Sequence, residues 1–217
     1  MHVLDTLKEV YSYKVGYLAI VSYTYPVYFI DHTNPGIFNL LQLIYISDLV
    51  SGLLHIFLDD YKGENPYIKP HALGFQNHHK NPKEFTERPI FTVFTETGQS
   101  VLLFNILNSY FLSFYFLIFT GLINIVQLSH YQAHCINHKT FSKPVSDVFI
   151  FLQKYGLILS TDGHSKHHQT YDNNFCILTG WANPLLNRYY KLVKSPEKKY
   201  KSIRINNYSV ILTIYLL

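Results

Sequence analysis

The sequence predicts an all-α integral membrane protein: about four transmembrane or re-entrant helices carrying a cytosolic, histidine-rich cap. Three observations lead there. Charged residues make up only 15% of the 217-residue chain, against 48% hydrophobic and 17% aromatic, where a soluble domain usually carries about 25% charge. The charges are also bunched. No Asp, Glu, Lys or Arg occurs from Val15 to Ile30, from His32 to Ser47 or from Thr97 to His138, and uncharged runs of that length mark bilayer spans. Finally, eight of the twelve histidines gather in four places, and the charge pattern puts all four on one side of the membrane. The length allows one domain, residues 1–217, and no second sizeable core.

Taken in order, residues 1–14 read as a polar leader carrying Lys8 and Lys14. Val15 to Ile30 is the first span, and because no small-residue cleavage site follows it, an anchor helix is expected rather than a removed signal. The turn from Asp31 to Gly36 has strong breaker chemistry. A second span, Ile37 to Phe57, leads into a long polar segment, Leu58 to Arg88. That segment holds Lys62, Lys69, Lys80, Lys83 and Arg88, which the positive-inside bias places in the cytoplasm.

The 33 residues from Thr97 to Ser129 would form a straight helix ~50 Å long, beyond a ~30 Å hydrocarbon core. It would also leave His130 and His134 on the wrong side. Asn105, Asn108 and Ser109 interrupt the run, so a hairpin joined near Asn108 is expected. Residues 145–160 read as a helix along the membrane face or within the cap, with Pro144 as its boundary and Ser142 or Ser146 as cap. Lys191 to Arg204 is a basic membrane-surface segment, and Tyr208 to Leu217 is too short to span. The net charge of +4 lies mostly in connecting segments. It fits anionic lipid better than nucleic acid. Cys135 and Cys176 make no disulfide framework and read as inert thiols in a reduced compartment.

The chemistry is carried by His55; by His78 and His79; by His130 and His134, an H-x-x-x-H pair; and by His164, His167 and His168. The last three, at i, i+3 and i+4, share one face of a helical turn. Singly, each place has a bland reading: His55 as a hydrogen-bonded interface residue, His78 and His79 as loop histidines. Together, on one membrane face, they read as metal ligands. Eight imidazoles exceed the four ligands of a structural zinc and suit two metal ions with open positions. Imidazole serves iron, copper, zinc or nickel alike, while the absence of thiolates argues against copper(I) or an iron–sulfur cluster. Asp48, Asp59, Glu96 and Asp162 are candidate carboxylates for holding neutral imidazoles in one tautomer. For Asp162 a helix-cap role is at least as good a reading. His2, His32, His71 and His138 fit no such spacing and read as surface residues.

These residues resemble a known family. The run Asp48-Leu49-Val50-Ser51-Gly52-Leu53-Leu54-His55, the His-His pair, H-x-x-x-H, and H-x-x-H-H followed by Phe175-Cys176-Ile177-Leu178-Thr179-Gly180-Trp181 are similar to the plasmanylethanolamine desaturase, or Kua (CarF-type), lipid desaturase domain. The resemblance runs on to Pro184-Leu185. It implies a di-iron, O2-dependent enzyme of the endoplasmic reticulum whose two Fe2+ ions are held by His55, His78, His79, His130, His134, His164, His167 and His168. The implied reaction removes two hydrogens from C1 and C2 of the alkyl ether chain of a plasmanyl phospholipid, leaving the vinyl ether of a plasmalogen. Plastid relatives of the family introduce a trans Δ3 double bond into an acyl lipid.

Some positions depart from the family. Ile56 stands where the family has Trp, and Glu96-Thr97-Gly98-Gln99 where it has Glu-Thr-Asn-Gly. Thr86-Glu87-Arg88 lacks a family histidine. Breaking an alkyl C–H bond needs a cofactor and an outside source of two electrons. The Lys-rich face is suited to an acidic donor, cytochrome b5 or, in a plastid, ferredoxin. Trp181, Phe175 and Tyr171 are expected at the mouth of an apolar channel or, equally well, as anchors at the membrane interface. The rivals are a lipid hydroxylase with the same iron pair, a membrane zinc hydrolase, and a non-catalytic metal-storing protein.

Overall fold

A computed structural model describes residues 2–29, 36–140 and 145–199. The expected turn at 31–35, the boundary and cap at 142–144, the end of the basic segment, and the closing 208–217 stretch lie outside these residues. All regular structure among the described residues is helical. The helices are α1 His2–Val21, α2 Thr24–Phe29, α3 Gly36–Asp60, α4 Lys69–Lys80 and α5 Pro82–Thr86. A 3-10 turn Ile90–Phe94 follows, then α6 Thr95–Phe111, α7 Phe114–His138, α8 Val145–Lys154, α9 Thr161–Thr170 and α10 Asn183–Lys199.

Two of these, α3 and α7, are long and apolar enough to cross a membrane. At 25 residues each they extend about 37 Å, and they pack against each other. The first expected span is not one helix. α1 begins at residue 2, so the supposed leader is helical, and the helix breaks at Ser22-Tyr23 before α2. The Ser22 and Thr24 hydroxyls donate back to the carbonyls of Ala19 and Val21, a local bonding choice that favours a bend over a continuing helix.

The hairpin between Thr97 and Ser129 is present as α6 and α7, which pack together and carry α1 on the α6 side. Its join lies at Leu112-Ser113, four residues past Asn108. Leu112 takes a left-handed conformation (φ 47°). Asn108 closes the turn, its amide nitrogen donating to the Ser113 carbonyl (3.1 Å) and its oxygen accepting from the Ser113 N–H (2.9 Å). Ser113 Oγ then caps α7 by accepting from Phe116 N–H. Asn105 is buried too: it accepts from the Thr120 hydroxyl and donates to Ser22 Oγ. The polar residues that interrupt the apolar run are therefore its turn and its cross-braces, each satisfied internally, as an apolar surrounding requires.

Between α9 and α10 the chain from Asn174 to Ala182 runs without helix or sheet, yet Phe175, Cys176, Ile177, Leu178, Thr179 and Ala182 are buried. Phe175, Cys176, Ala182 and Leu186 form one core with Ile56, while Ile177 and Leu178 join Val126 in another. A buried irregular backbone must find partners for its N–H groups. Here Asp48, fully buried in α3, satisfies four of them. Its Oδ1 accepts from Leu178 (3.2 Å), Thr179 (2.8 Å) and Gly180 (3.1 Å), and its Oδ2 from Ala182 (3.0 Å). The Cys176 and Asn174 N–H groups go to Asn183 Oδ1 and Asn187 Oδ1. Gly52, one turn beyond Asp48, lets the segment come this close: a Cβ there would lie 2.6 Å from Cys176 Sγ. Both cysteines are free and buried, and burial pushes the Cys176 thiol up, consistent with inert residues.

Replacing Asp48 by Ala strands four buried N–H groups, each costing about 1–3 kcal/mol. Asp48→Ala is therefore expected to lose about 3 kcal/mol or more of stability, with Asp48→Asn, which keeps one acceptor oxygen, in between. Thermal melting in detergent checks this; an unshifted midpoint for Asp48→Ala would remove the carboxylate from its role as clamp.

Candidate metal centre

Four helices bring all eight histidines of the sequence-derived set to one end of the bundle. α3 contributes His55 and Asp59 from its last turns, α4 His78 and His79, α7 His130 and His134, and α9 His164, His167 and His168. The helix α9 starts cleanly because Ser160 Oγ accepts from Gly163 N–H (3.1 Å), and it stops at Tyr171 in a left-handed conformation (φ 56°). It is a ten-residue frame that exists to present three rings.

The rings divide into two clusters. His78, His130, His134, His164 and His168 form the first; His55, Asp59, His79 and His167 form the second, with the donor atoms of each cluster within 4.8 Å of one another. In the first, Nε2 atoms face Nε2 atoms: His78 to His130 at 3.0 Å, His134 to His78 at 3.1 Å, His134 to His164 at 2.7 Å, His168 to His164 at 3.1 Å. In the second, His55 and His79 Nε2 lie 3.3 Å apart, and the Asp59 carboxylate is 3.5 Å from each of His55, His79 and His167 Nε2. The clusters adjoin, with the His79 and His168 ring centroids at 4.6 Å.

Helix geometry explains the division. Residues four apart stack on one face, so His130/His134, His164/His168 and His55/Asp59 each stay together. Neighbours in sequence point about 100° apart, so His78 goes to one cluster and His79 to the other, and His167 parts from His164 and His168. The single face expected for those three is thus corrected: they straddle two centres.

The carboxylates are also redistributed. Asp59, expected to sit behind a ligand, is itself among the donors. Asp48 touches no ring and holds backbone instead. Asp162 is exposed in the first turn of α9, and the side chain of Glu96 lies outside the described residues. Tautomers are set by backbone carbonyls: His55 Nδ1–H donates to Phe175 O (3.0 Å) and His167 Nδ1–H to Asn173 O (2.7 Å). With Nδ1 protonated, each leaves a lone pair on Nε2.

These residues fit a metal pair. A neutral imidazole Nε2 either donates or accepts, so five converging on one point cannot all satisfy one another. Both Asp59 oxygens and His167 Nε2 are buried without a hydrogen-bond partner among the described residues. Ligands about 2.1 Å from one ion and at right angles lie about 3.0 Å apart, which matches the spacings of the first cluster. Burial, reinforced by neighbouring imidazoles, lowers His79 to about 3 and His168 to about 4, and holds His78 and His164 well below the usual value. At neutral pH these rings are uncharged and free to bind a cation.

Aromatic rings lock the clusters. Phe85 packs on His78 and His130 (centroids at 5.1 Å), and Tyr171 stacks on His79 (5.0 Å). Phe175, expected at a channel mouth, is instead a buried wedge against His167 (5.2 Å) and His55. Trp181 is partly exposed and donates through Nε1 to Gly156 O. Sequence reading missed Phe85, and no spacing signals it. It also missed His138, which lies parallel to His134 at 6.3 Å, its Nε2 buried without a hydrogen-bond partner among the described residues. The H-x-x-x-H-x-x-x-H run through residue 138 was the available signal. His71 is exposed, as expected. An open cleft touches the first cluster at His78 and His130, with Phe75 and Phe85 also lining it.

Residues 44–200 match the lipid desaturase domain family. The chain is 34% identical over 146 residues to Fatty acid desaturase 4, chloroplastic, of Arabidopsis thaliana, covering 64% of this chain and 44% of that protein. It is 31% and 28% identical over 148 residues to Fatty acid desaturase 4-like 1 and 4-like 2, both chloroplastic and from the same plant; these alignments cover 64% and 65% of this chain and 48% and 51% of those proteins. The chain spans about half the length of the curated relatives it matches. No solved structure matches.

Because Asp59 faces three imidazoles of one cluster and none of the other, Asp59→Ala is expected to lower bound metal from about two ions per chain to about one. Its affinity loss should exceed the ~10–100-fold typical of groups behind a ligand. Elemental analysis of the purified variant checks this; two ions retained at unchanged affinity would return Asp59 to a supporting role.

Proposed function

The chain belongs to the lipid desaturase domain family, and from that premise we propose that it is a membrane-bound, di-iron, O2-dependent desaturase acting on the hydrocarbon chain of a phospholipid. The observation that carries this reading is the pair of adjoining donor clusters, five imidazoles beside three imidazoles and a carboxylate. Five donors exceed the tetrahedral set of zinc, and zinc has no redox chemistry to offer. An unactivated C–H bond has no leaving group or acidic proton, so side chains alone cannot break it. Two irons, when bound by these residues with O2 and two electrons, supply the oxidising power for removing a hydrogen from each of two adjacent carbons.

The protein's own contribution is placement. His55, His79, His167 and Asp59 hold one ion and His78, His130, His134, His164 and His168 the other. The carbonyls of Phe175 and Asn173 fix two rings with Nε2 inward. Phe85 and Phe175 exclude water from the flanks. The cleft between Phe75 and Phe85 guides a chain onto the floor formed by His78 and His130, and fixing two carbons there is worth several kcal/mol of the barrier. α3 and α7 cross the bilayer, and α1 with the α6 limb of the hairpin completes a four-helix anchor. The Lys-rich segments then lie on the cytosolic side, beside the histidine cap. The electron donor is a small acidic carrier: cytochrome b5 at an endoplasmic-reticulum membrane, or ferredoxin in a plastid.

The names of the relatives, fatty acid desaturases, favour an acyl chain as substrate. The alkyl ether chain of a plasmanyl lipid, giving a vinyl ether, is the second reading, favoured by the resemblance of the His55 run and the H-x-x-H-H block.

The purified protein is expected to carry about two irons per chain and to require O2 and a reductant for turnover. His134→Ala or His168→Ala should reduce product at least ~1,000-fold, since loss of an ion removes the oxidising step altogether, while the variants stay in the membrane fraction. Lipid profiling of cells with and without the gene, scoring new acyl double bonds and acid-labile vinyl ethers, separates the two substrates. Full activity in both variants would defeat the reading, and one zinc per chain would turn it towards hydrolysis.

A further inference from the structure

We propose that Arg88 is a specificity-determining cation that binds the phosphodiester of a phospholipid at the rim of the cleft above the five-imidazole cluster. This rests on the desaturase reading and deepens it by naming the group that recognises the lipid's head. The cleft is two-sided in its chemistry. His78 and His130 form its floor and Phe75 and Phe85 its walls, while Asn77, Asn81, Glu84 and Arg88 make a polar rim. Phe75 also packs edge-on against His55 at 5.3 Å, so the same cleft borders both clusters. Apolar walls under a polar rim are the lining an amphiphile needs.

Arg88 also sits at the right depth. It is the last Lys or Arg before a stretch free of both that runs to Lys139, and it is followed at once by Pro89, the 3-10 turn and the α6 limb of the hairpin. A cation at that border lies at headgroup level. Its guanidinium stands over the Phe85 ring at 6.0 Å, a cation–π contact that points it across the cleft. The Tyr131 hydroxyl donates to its carbonyl at 3.4 Å, tying its backbone to α7.

Its present partner is weak. Arg88 Nη2 lies 3.3 Å from Glu84 Oε1, and the two side chains are 47% and 58% exposed. A solvent-screened pair of this kind contributes ~1 kcal/mol at most. A phosphate offers two oxygens to the planar fork and a stronger, paired contact. Arg88 therefore exchanges Glu84 for phosphate when lipid enters, and Glu84 is left facing the donor groups of the headgroup.

The test uses the full-length, iron-loaded protein in detergent micelles doped with equal amounts of dipalmitoyl phosphatidylglycerol and dipalmitoylglycerol, which share chains and differ in the phosphodiester. Lipid retained after purification is counted by mass spectrometry. Wild type should enrich the phosphatidylglycerol; Arg88→Gln should lower that enrichment by about ten-fold, ~1.4 kcal/mol, and Arg88→Lys should recover part of it. Lys83→Gln, which removes a cation paired to Glu87 outside the cleft, should leave it unchanged. No enrichment by wild type, equal enrichment by Arg88→Gln, or an equal fall in Lys83→Gln overturns the proposal. Product is scored separately: enrichment without desaturation counts against the desaturase reading and leaves the headgroup site standing.

Discussion

Everything in this molecule answers to one electrostatic constraint. Nine donor groups bearing lone pairs are turned towards one another inside a buried space, many at about 3 Å. Neutral imidazoles packed this way repel through their nitrogen dipoles and leave polar atoms unsatisfied, which costs a few kcal/mol for each buried group. An arrangement so costly is sustained by the surrounding fold and relieved by a cation. The five-fold convergence of Nε2 atoms and the empty-handed carboxylate of Asp59 are thus one feature seen from two sides. Burial, reinforced by the neighbouring imidazoles, lowers the proton affinity of His78, His79, His164 and His168 and keeps their lone pairs available.

Holding the rings there requires rigid supports on several sides. α3 and α7 are long and apolar enough to cross a membrane, and their last turns carry the ligand side chains. Any tilt between them would change the distance from His55 to His130, whose rings are 6.2 Å apart. The segment from Asn174 to Ala182 acts as the spacer that fixes this tilt. It fills the core beside α3, presents the Phe175 carbonyl to His55, and is itself pinned by Asp48 from within α3. A carboxylate buried in an apolar helix is costly without partners, and four backbone N–H groups are the partners supplied. The long apolar helix and the histidine clusters are therefore mechanically one body, joined at Asp48 and Gly52.

A division of labour between the two clusters follows from their composition. Five neutral donors leave the charge of a bound dication uncompensated, whereas the Asp59 carboxylate offsets part of it in the other cluster. Two ions of the same kind would so be held in electrically different settings a few ångströms apart. The cleft opens beside the all-imidazole cluster and borders the mixed one through Phe75, so whatever enters it lies nearer the cluster that lacks a carboxylate.

How much of this could be read from the chain alone differs from feature to feature, for physical reasons. Uncharged runs are a local property, so the long apolar helix α3 and the α6–α7 hairpin were legible, though not the break that divides the first expected span; so were the eight histidines, whose spacings are helical and whose residue type is chemically distinctive. Local pattern also placed Asn108 at the hairpin, though not the join at Leu112, because a turn is closed by a side chain reaching several residues on. Which cluster each ring enters depended on helix rotation and on the partners across the bundle, so the separation of His167 from His164 and His168 could only come from the tertiary structure. The same holds for the carboxylates. In sequence, Asp48 and Asp59 are both acids on the ligand-bearing face of one helix. Packing alone set one against the N–H groups of a segment 130 residues away and the other against three imidazoles, because what a buried charge does is decided by what the fold brings to it.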